Sequence, residues 1–212
     1  MCSAKNGNVE IRLESRLEQS VAQALELDPR VSAYRAQPFT LDLASGDLLP
    51  KKHLIKPQGV LYYTPDFSVE LADLQIVLEV KPRSFLEEHR EFLGKVRSAL
   101  IKKGKRFIVI SEDDFSGHYL RNIQLLIPYL TQAAHTLPRW AAPLQRLTPD
   151  QLKGPVRHAL DAGTPANYQV AAGVLLGIIK FDLALHLFEQ MDFEISPAFG
   201  SLSVFEVICF ER

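Results

Sequence analysis

Thr64-Pro65-Asp66-Phe67 and, a short connection later, Leu78-Glu79-Val80-Lys81-Pro82 are the two segments on which the reading of this chain turns. The run Gln75-Ile76-Val77-Leu78-Glu79-Val80-Lys81 is rich in branched apolar residues and predicts a strand. Side chains alternate faces along a strand, so Glu79 and Lys81 share one face while Leu78 and Val80 point to the other. Asp66 falls in a preceding strand expected over residues 62–71, with Ala72-Asp73-Leu74 as the connection. Pairing of the two strands as a hairpin carries Asp66 toward Glu79 across the ladder. Pro82 ends the second strand because it has no N–H to donate.

Two carboxylates and an ammonium on one patch of sheet suit phosphodiester hydrolysis. Mg2+, with Mn2+ as a substitute, prefers hard oxygen ligands, polarises a phosphate and lowers the pKa of an attacking water. On this reading Asp66 and Glu79 are metal ligands, and the main-chain carbonyl of Val80 adds a further oxygen. Lys81 positions or deprotonates the water and offsets charge on phosphorus, a task for a compact ammonium whose pKa can shift. Pro65-Asp66 followed by Glu79-x-Lys81 resembles the PD-(D/E)xK nuclease superfamily. A charged pair on a solvated strand face is the plainer account of so short a motif, and the order of elements around it decides between them.

Residues 1–10 are expected as a flexible tail ahead of those elements. Leu13, Leu17, Val21, Ala24 and Leu25 recur at helical spacing over 11–27, with Ser15 and Glu18 as a capping pair, and Asp28-Pro29 stops the helix. A strand is expected over 31–43, interrupted at Pro38, and Ala44-Ser45-Gly46-Asp47 is a turn by composition. After the two motif strands, Phe85, Phe92, Leu93, Val96, Ala99 and Leu100 mark a helix over 85–103, closed by Gly104. Arg106 to Ile110 is a short apolar strand of the buried parallel kind. Helix, three strands, helix and strand give the αβββαβ core of an α/β, restriction-endonuclease-like fold. The motif and the topology are independent readings, and they agree.

Composition excludes little. The 212 residues have a net charge of -1 and 47 % apolar content, as in an ordinary globular protein. Cations and acids balance at 17 each over residues 1–120, while residues 141–212 carry 5 cations against 8 acids. Basic clusters stand at Lys51-Lys52-His53-Leu54-Ile55-Lys56 and Lys102-Lys103-Gly104-Lys105-Arg106, where phosphate contact and plain solvation are equally good accounts. The longest apolar run, Val170 to Ile179, is too short to cross a bilayer. Cys2 and Cys209 sit at opposite ends, which argues against a disulfide framework and fits a reducing cytoplasm.

Further segments narrow the resemblance. Ser15-Arg16-Leu17-Glu18, Leu27-Asp28-Pro29, Val31, Gln37-Pro38, the two motifs, and Ile110-Ser111-Glu112-Asp113-Asp114-Phe115 followed by Asn122-Ile123 and Leu126 resemble the TnsA endonuclease family. The likeness covers about the first 130 residues. It implies a subunit of a heteromeric transposase that nicks the 5′ ends of a transposon, with Glu18 joining Asp66 and Glu79 as metal ligands and Lys81 as the catalytic lysine. It also implies transposon-end DNA, a DDE-type transposase subunit (TnsB-like) and an AAA+ ATPase regulator (TnsC-like) as partners. Gln37 is a family-like position with no assigned role.

The nuclease domain is expected over 11–135, with a closing helix at 117–133 and with His118 and His135 as loop or cap residues. Pro138, Pro143 and Pro149 around Trp140 read as a linker over 136–149, with Trp140 filling an interdomain groove. Residues 150–212 then read as a winged-helix-like domain, with short helices near 152–160, 164–177 and 180–190 and strands at 193–195 and 202–208. Its acidic balance favours docking of a protein partner over DNA. Two other readings stand beside the transposition subunit: a stand-alone repair or restriction-type nuclease, and a non-catalytic assembly module.

Overall fold

The structure, a computed structural model, describes residues 1–50 and 61–211. The chain forms two compact units, Met1–Glu26 with Arg30–Asp114 and Ile208–Arg212, and Leu27–Pro29 with Phe115–Val207. The basic cluster at 51–56 lies outside the described residues.

The first unit follows the expected order of elements. Helix α1 (Arg16–Leu27) leads to strand β1 (Val31–Ala36), β2 (Phe67–Leu71) and β3 (Leu74–Val80), then helix α2 (Arg83–Lys102) and strand β4 (Arg106–Ile110). The sheet order is β1-β2-β3-β4, antiparallel except for the parallel β3–β4 pair. Five successive residues of β3, Ile76 to Val80, are buried, as befits a strand covered on both faces. On one face Val77 and Phe107 pack with Leu93, Val96 and Leu100 of α2. On the other, Tyr34 meets Phe67 edge-on at 6.2 Å, and its hydroxyl donates to Glu26 of α1 at 3.1 Å.

Both long expected strands are cut short at a proline. Pro38 follows Gln37, whose φ is +46°, and the chain leaves the main sheet for a separate ribbon of Leu48–Leu49, Thr40–Asp42 and Tyr62–Tyr63. Pro65, which has no N–H, likewise separates Tyr62–Tyr63 from β2. The first ten residues are not the loose tail expected of them: Cys2–Ser3 pairs with Val9–Glu10, and Ser3 Oγ donates to Glu26 Oε2 at 2.6 Å.

The second unit departs further from expectation. Helix α3 (Gly117–Gln132) belongs to it, and the expected linker is helix α4 (Leu137–Gln145), entered through Pro138, which the first turn tolerates. Helix α5 (Ala166–Leu175) follows, with three short strands ordered β5 (Gly154–Pro155), β7 (Glu194–Pro197), β6 (Ile179–Lys180). Apart from the strand residues just named, 152–160 and 180–190 hold turns and short 3-10 segments where helices are expected, and 202–208 is not a strand.

Asn122 of α3 explains the missing helix at 180–190. Its Nδ2 donates to the carbonyls of Leu183 (2.8 Å) and His186 (2.7 Å), and its Oδ1 accepts from the Phe188 N–H (2.7 Å). Ser116 Oγ donates to the Ala184 carbonyl, and Asp182 accepts from the N–H groups of Ala184 and Leu185. Groups that a helix would pair internally are therefore taken by side chains. Trp140 lies 4.5 Å from Tyr168, ring centroid to centroid and tilted by 30°, within this unit, beside Tyr129. The last residues, Ile208–Arg212, belong to the first unit, where Arg30 and Arg106 donate to the carbonyls of Ile208 and Phe210.

Candidate active site

The β2–β3 register pairs Phe67 with Leu78, and one more step places Asp66 opposite Glu79 at the mouth of the hairpin. Cross-strand partners share a face, so both carboxylates point to the α2 side of the sheet. Asp66 is fixed at the break after Pro65: its carbonyl accepts from the Gln37 N–H at 2.9 Å, and Oδ2 accepts from the Val80 N–H at 2.6 Å. Thr64 and Thr40 hold the approach through hydroxyls 3.0 Å apart.

Glu79 is 5 % exposed and has both oxygens engaged. Tyr63 donates to Oε2 at 2.6 Å, and Lys81 Nζ lies 3.3 Å from Oε1. Lys81, two residues on, shares the Glu79 face, and its main chain is anchored by a 2.9 Å bond to the Ile110 carbonyl on β4.

Burial and the neighbouring Glu79 charge push the Asp66 carboxyl up to about 7, against the pull of the Val80 N–H; Glu18 adds to the rise and Lys81 opposes it. Glu79, Lys81 and Glu18 therefore each lie within electrostatic reach of Asp66. Burial and the Glu79 carboxylate likewise hold the Tyr63 hydroxyl protonated, well above its ordinary range.

Glu18 sits differently from the other acids. Its Oε2 accepts from the Glu14 N–H at 2.9 Å, its Oε1 from Ser15 Oγ at 2.9 Å, and Ser15 Oγ accepts from the Glu18 N–H at 3.1 Å. This is the expected capping pair, and it occupies both carboxylate oxygens at the start of its own helix. Among the described residues no three His, Cys, Asp or Glu side chains stand together as a metal cage. Asp66 and Glu79 do suit a divalent cation as a pair: two hard oxygen donors share a face, and their repulsion is the kind that a cation relieves. In this arrangement Glu18 is near them without joining them.

Two residues of the site go beyond what sequence patterning assigns. Tyr63 is marked there only as a strand residue, although a hydroxyl three positions before Asp66 is a visible signal. Gln37 bonds the Asp66 main chain and, through Nε2, donates to Glu14 Oε1 at 2.8 Å, so it ties the acid of the hairpin to the start of α1. Its left-handed backbone leaves no trace in the sequence.

A family model described as TnsA-like endonuclease N terminal matches residues 28–112. That span holds Asp66, Glu79 and Lys81 and excludes Glu18 and nearly all of the second unit. No curated protein matches the chain.

Proposed function

We propose, from the match of residues 28–112 to the TnsA-like endonuclease N-terminal family, that the protein hydrolyses the phosphodiester at the 5′ ends of a transposon in a Mg2+-dependent reaction. The observation that carries this reading is the shared face of Asp66 and Glu79, with Lys81 3.3 Å from Glu79. Asp66 and Glu79 would hold the cation, the Val80 carbonyl would add an oxygen, and Glu18 would complete the set by leaving its capping bonds. When bound, the cation supplies Lewis acidity toward the phosphate and an activated water.

The chain's own groups do the remaining work. Tyr63 and the Val80 N–H orient the two carboxylates, and Lys81 presents an ammonium beside them to steady charge on the phosphate oxygens and to hold the water. Ile110 fixes the backbone from which that lysine projects. The partners of this reading are transposon-end DNA, a DDE-type transposase subunit and an AAA+ regulator. The second unit, with its three α-helices and small sheet, would be the docking module for them.

The test is nicking of a transposon-end duplex by the full chain with Mg2+ and the partner transposase. Cleavage that persists in Asp66→Asn defeats the assignment. The engaged state of Glu18 favours a second reading, an assembly module that does not cut. Calorimetry with Mn2+ separates the two: an Asp66-dependent binding signal supports the nuclease, and its absence the module.

A further inference from the structure

Among the described residues the outer edge of β1 is not paired with another strand, and a groove of about 700 Å³ runs beside it. One wall is the N-terminal hairpin with Lys5, Glu10 and Arg12, and the other is β1 with Arg35, ending at Gln37. Three cations thus face one acid in a chain whose net charge is -1. Arg12 and Arg35 are exposed and form no ion pair among the described residues. Lys5 is tied by Nζ to the Leu25 carbonyl at 3.1 Å, which holds its charge in place. The groove closes on the candidate site, because the Gln37 N–H donates to the Asp66 carbonyl.

We infer that this groove is a track for the phosphate backbone of a DNA strand, with Arg12 and Arg35 as its phosphate contacts. DNA as the partner rests on the nuclease reading; the surface rests on the groove itself. Guanidinium groups bind phosphate oxygens through paired N–H donors, and an arginine with no carboxylate to leave gives up nothing in doing so. An anionic strand lying along β1 reaches Gln37 and passes beside Asp66. Phosphate contacts of this kind position a strand without reading its sequence.

The experiment is a fluorescence-anisotropy titration of a labelled DNA duplex with the full chain across a range of salt. Arg12→Ala/Arg35→Ala is compared with the native protein and with Asp66→Asn. Loss of two phosphate contacts lowers the slope of log K against log salt by about 1.8, since each contact contributes about 0.9. Asp66→Asn retains the native slope, so a failure of cleavage is read apart from a failure of the track. Thermal melts should be unchanged, because both arginines are exposed and free of ion pairs among the described residues. A slope unaltered in the double variant overturns the inference, as does a loss that appears only in Lys102→Ala/Lys103→Ala. Unaltered DNA binding with capture of an extended peptide would assign the groove to strand addition and overturn it too.

Discussion

Tyr63 donates a 2.6 Å hydrogen bond to Glu79 Oε2, and both residues are buried. The tyrosine ring is itself wedged edge-on between Phe92 (5.9 Å) and Phe107 (6.2 Å), so the hydroxyl has little freedom to leave its partner. Tyr63→Phe keeps the packing and deletes the bond to a buried carboxylate. A loss of about 1.5–3 kcal/mol in denaturant unfolding is expected, the range for bonds to charged groups. A cost no greater than a few tenths would mean that Lys81 alone satisfies Glu79.

Asp66 gives the stability of the first unit a direction in pH. Its carboxyl titrates at about 7 in the folded chain against an ordinary value of 3.8. Between those values the folded form holds a proton that the unfolded form has lost, so stability falls as pH rises through the window. The slope is at most about 1.4 kcal/mol per pH unit, and less because the side chain still meets solvent. Asp66→Asn removes this decline. Melting temperatures of the two proteins should converge near about pH 4 and diverge by about pH 8, with the variant the more stable.

Ser15 and Glu18 can be separated by what each substitution leaves behind. Glu18→Gln keeps an oxygen to accept from the Glu14 N–H and turns its amide to donate to Ser15 Oγ, so it should melt within about 0.5 kcal/mol of the native protein. Nicking should nevertheless fall at least about tenfold, if the charge is what the cation needs. Ser15→Ala should do the opposite, costing about 1 kcal/mol while sparing activity.

Asn122 is 0 % exposed and satisfies three groups of the 183–188 segment at once. Asn122→Leu strands two carbonyls and an N–H, and a cost of about 3 kcal/mol or more is expected in the second unit. Hydrogen exchange at Phe188 should rise before that of α5. Protection that is unchanged would show that Ser116 and Asp182 suffice to hold the loop.

The amino-acid sequence by itself determined the hairpin and which of its side chains stand together. Alternation along Gln75 to Val80 fixes which side chains share a face, and Ser15 with Glu18 marks a helix start, because both rest on neighbours two to four residues apart. Tertiary structure decided what those groups do. Glu18 was expected among metal ligands and is held by its own helix, and Asp66 is pushed toward neutrality only once burial brings Glu79 opposite it. The apolar spacing of 180–190 predicts a helix, yet a side chain some sixty residues earlier takes its carbonyls. The same holds for the return of residues 208–210 to Arg30 and Arg106. Local periodicity records the bonds a segment can make with itself; it carries no record of a donor that arrives from elsewhere in the chain.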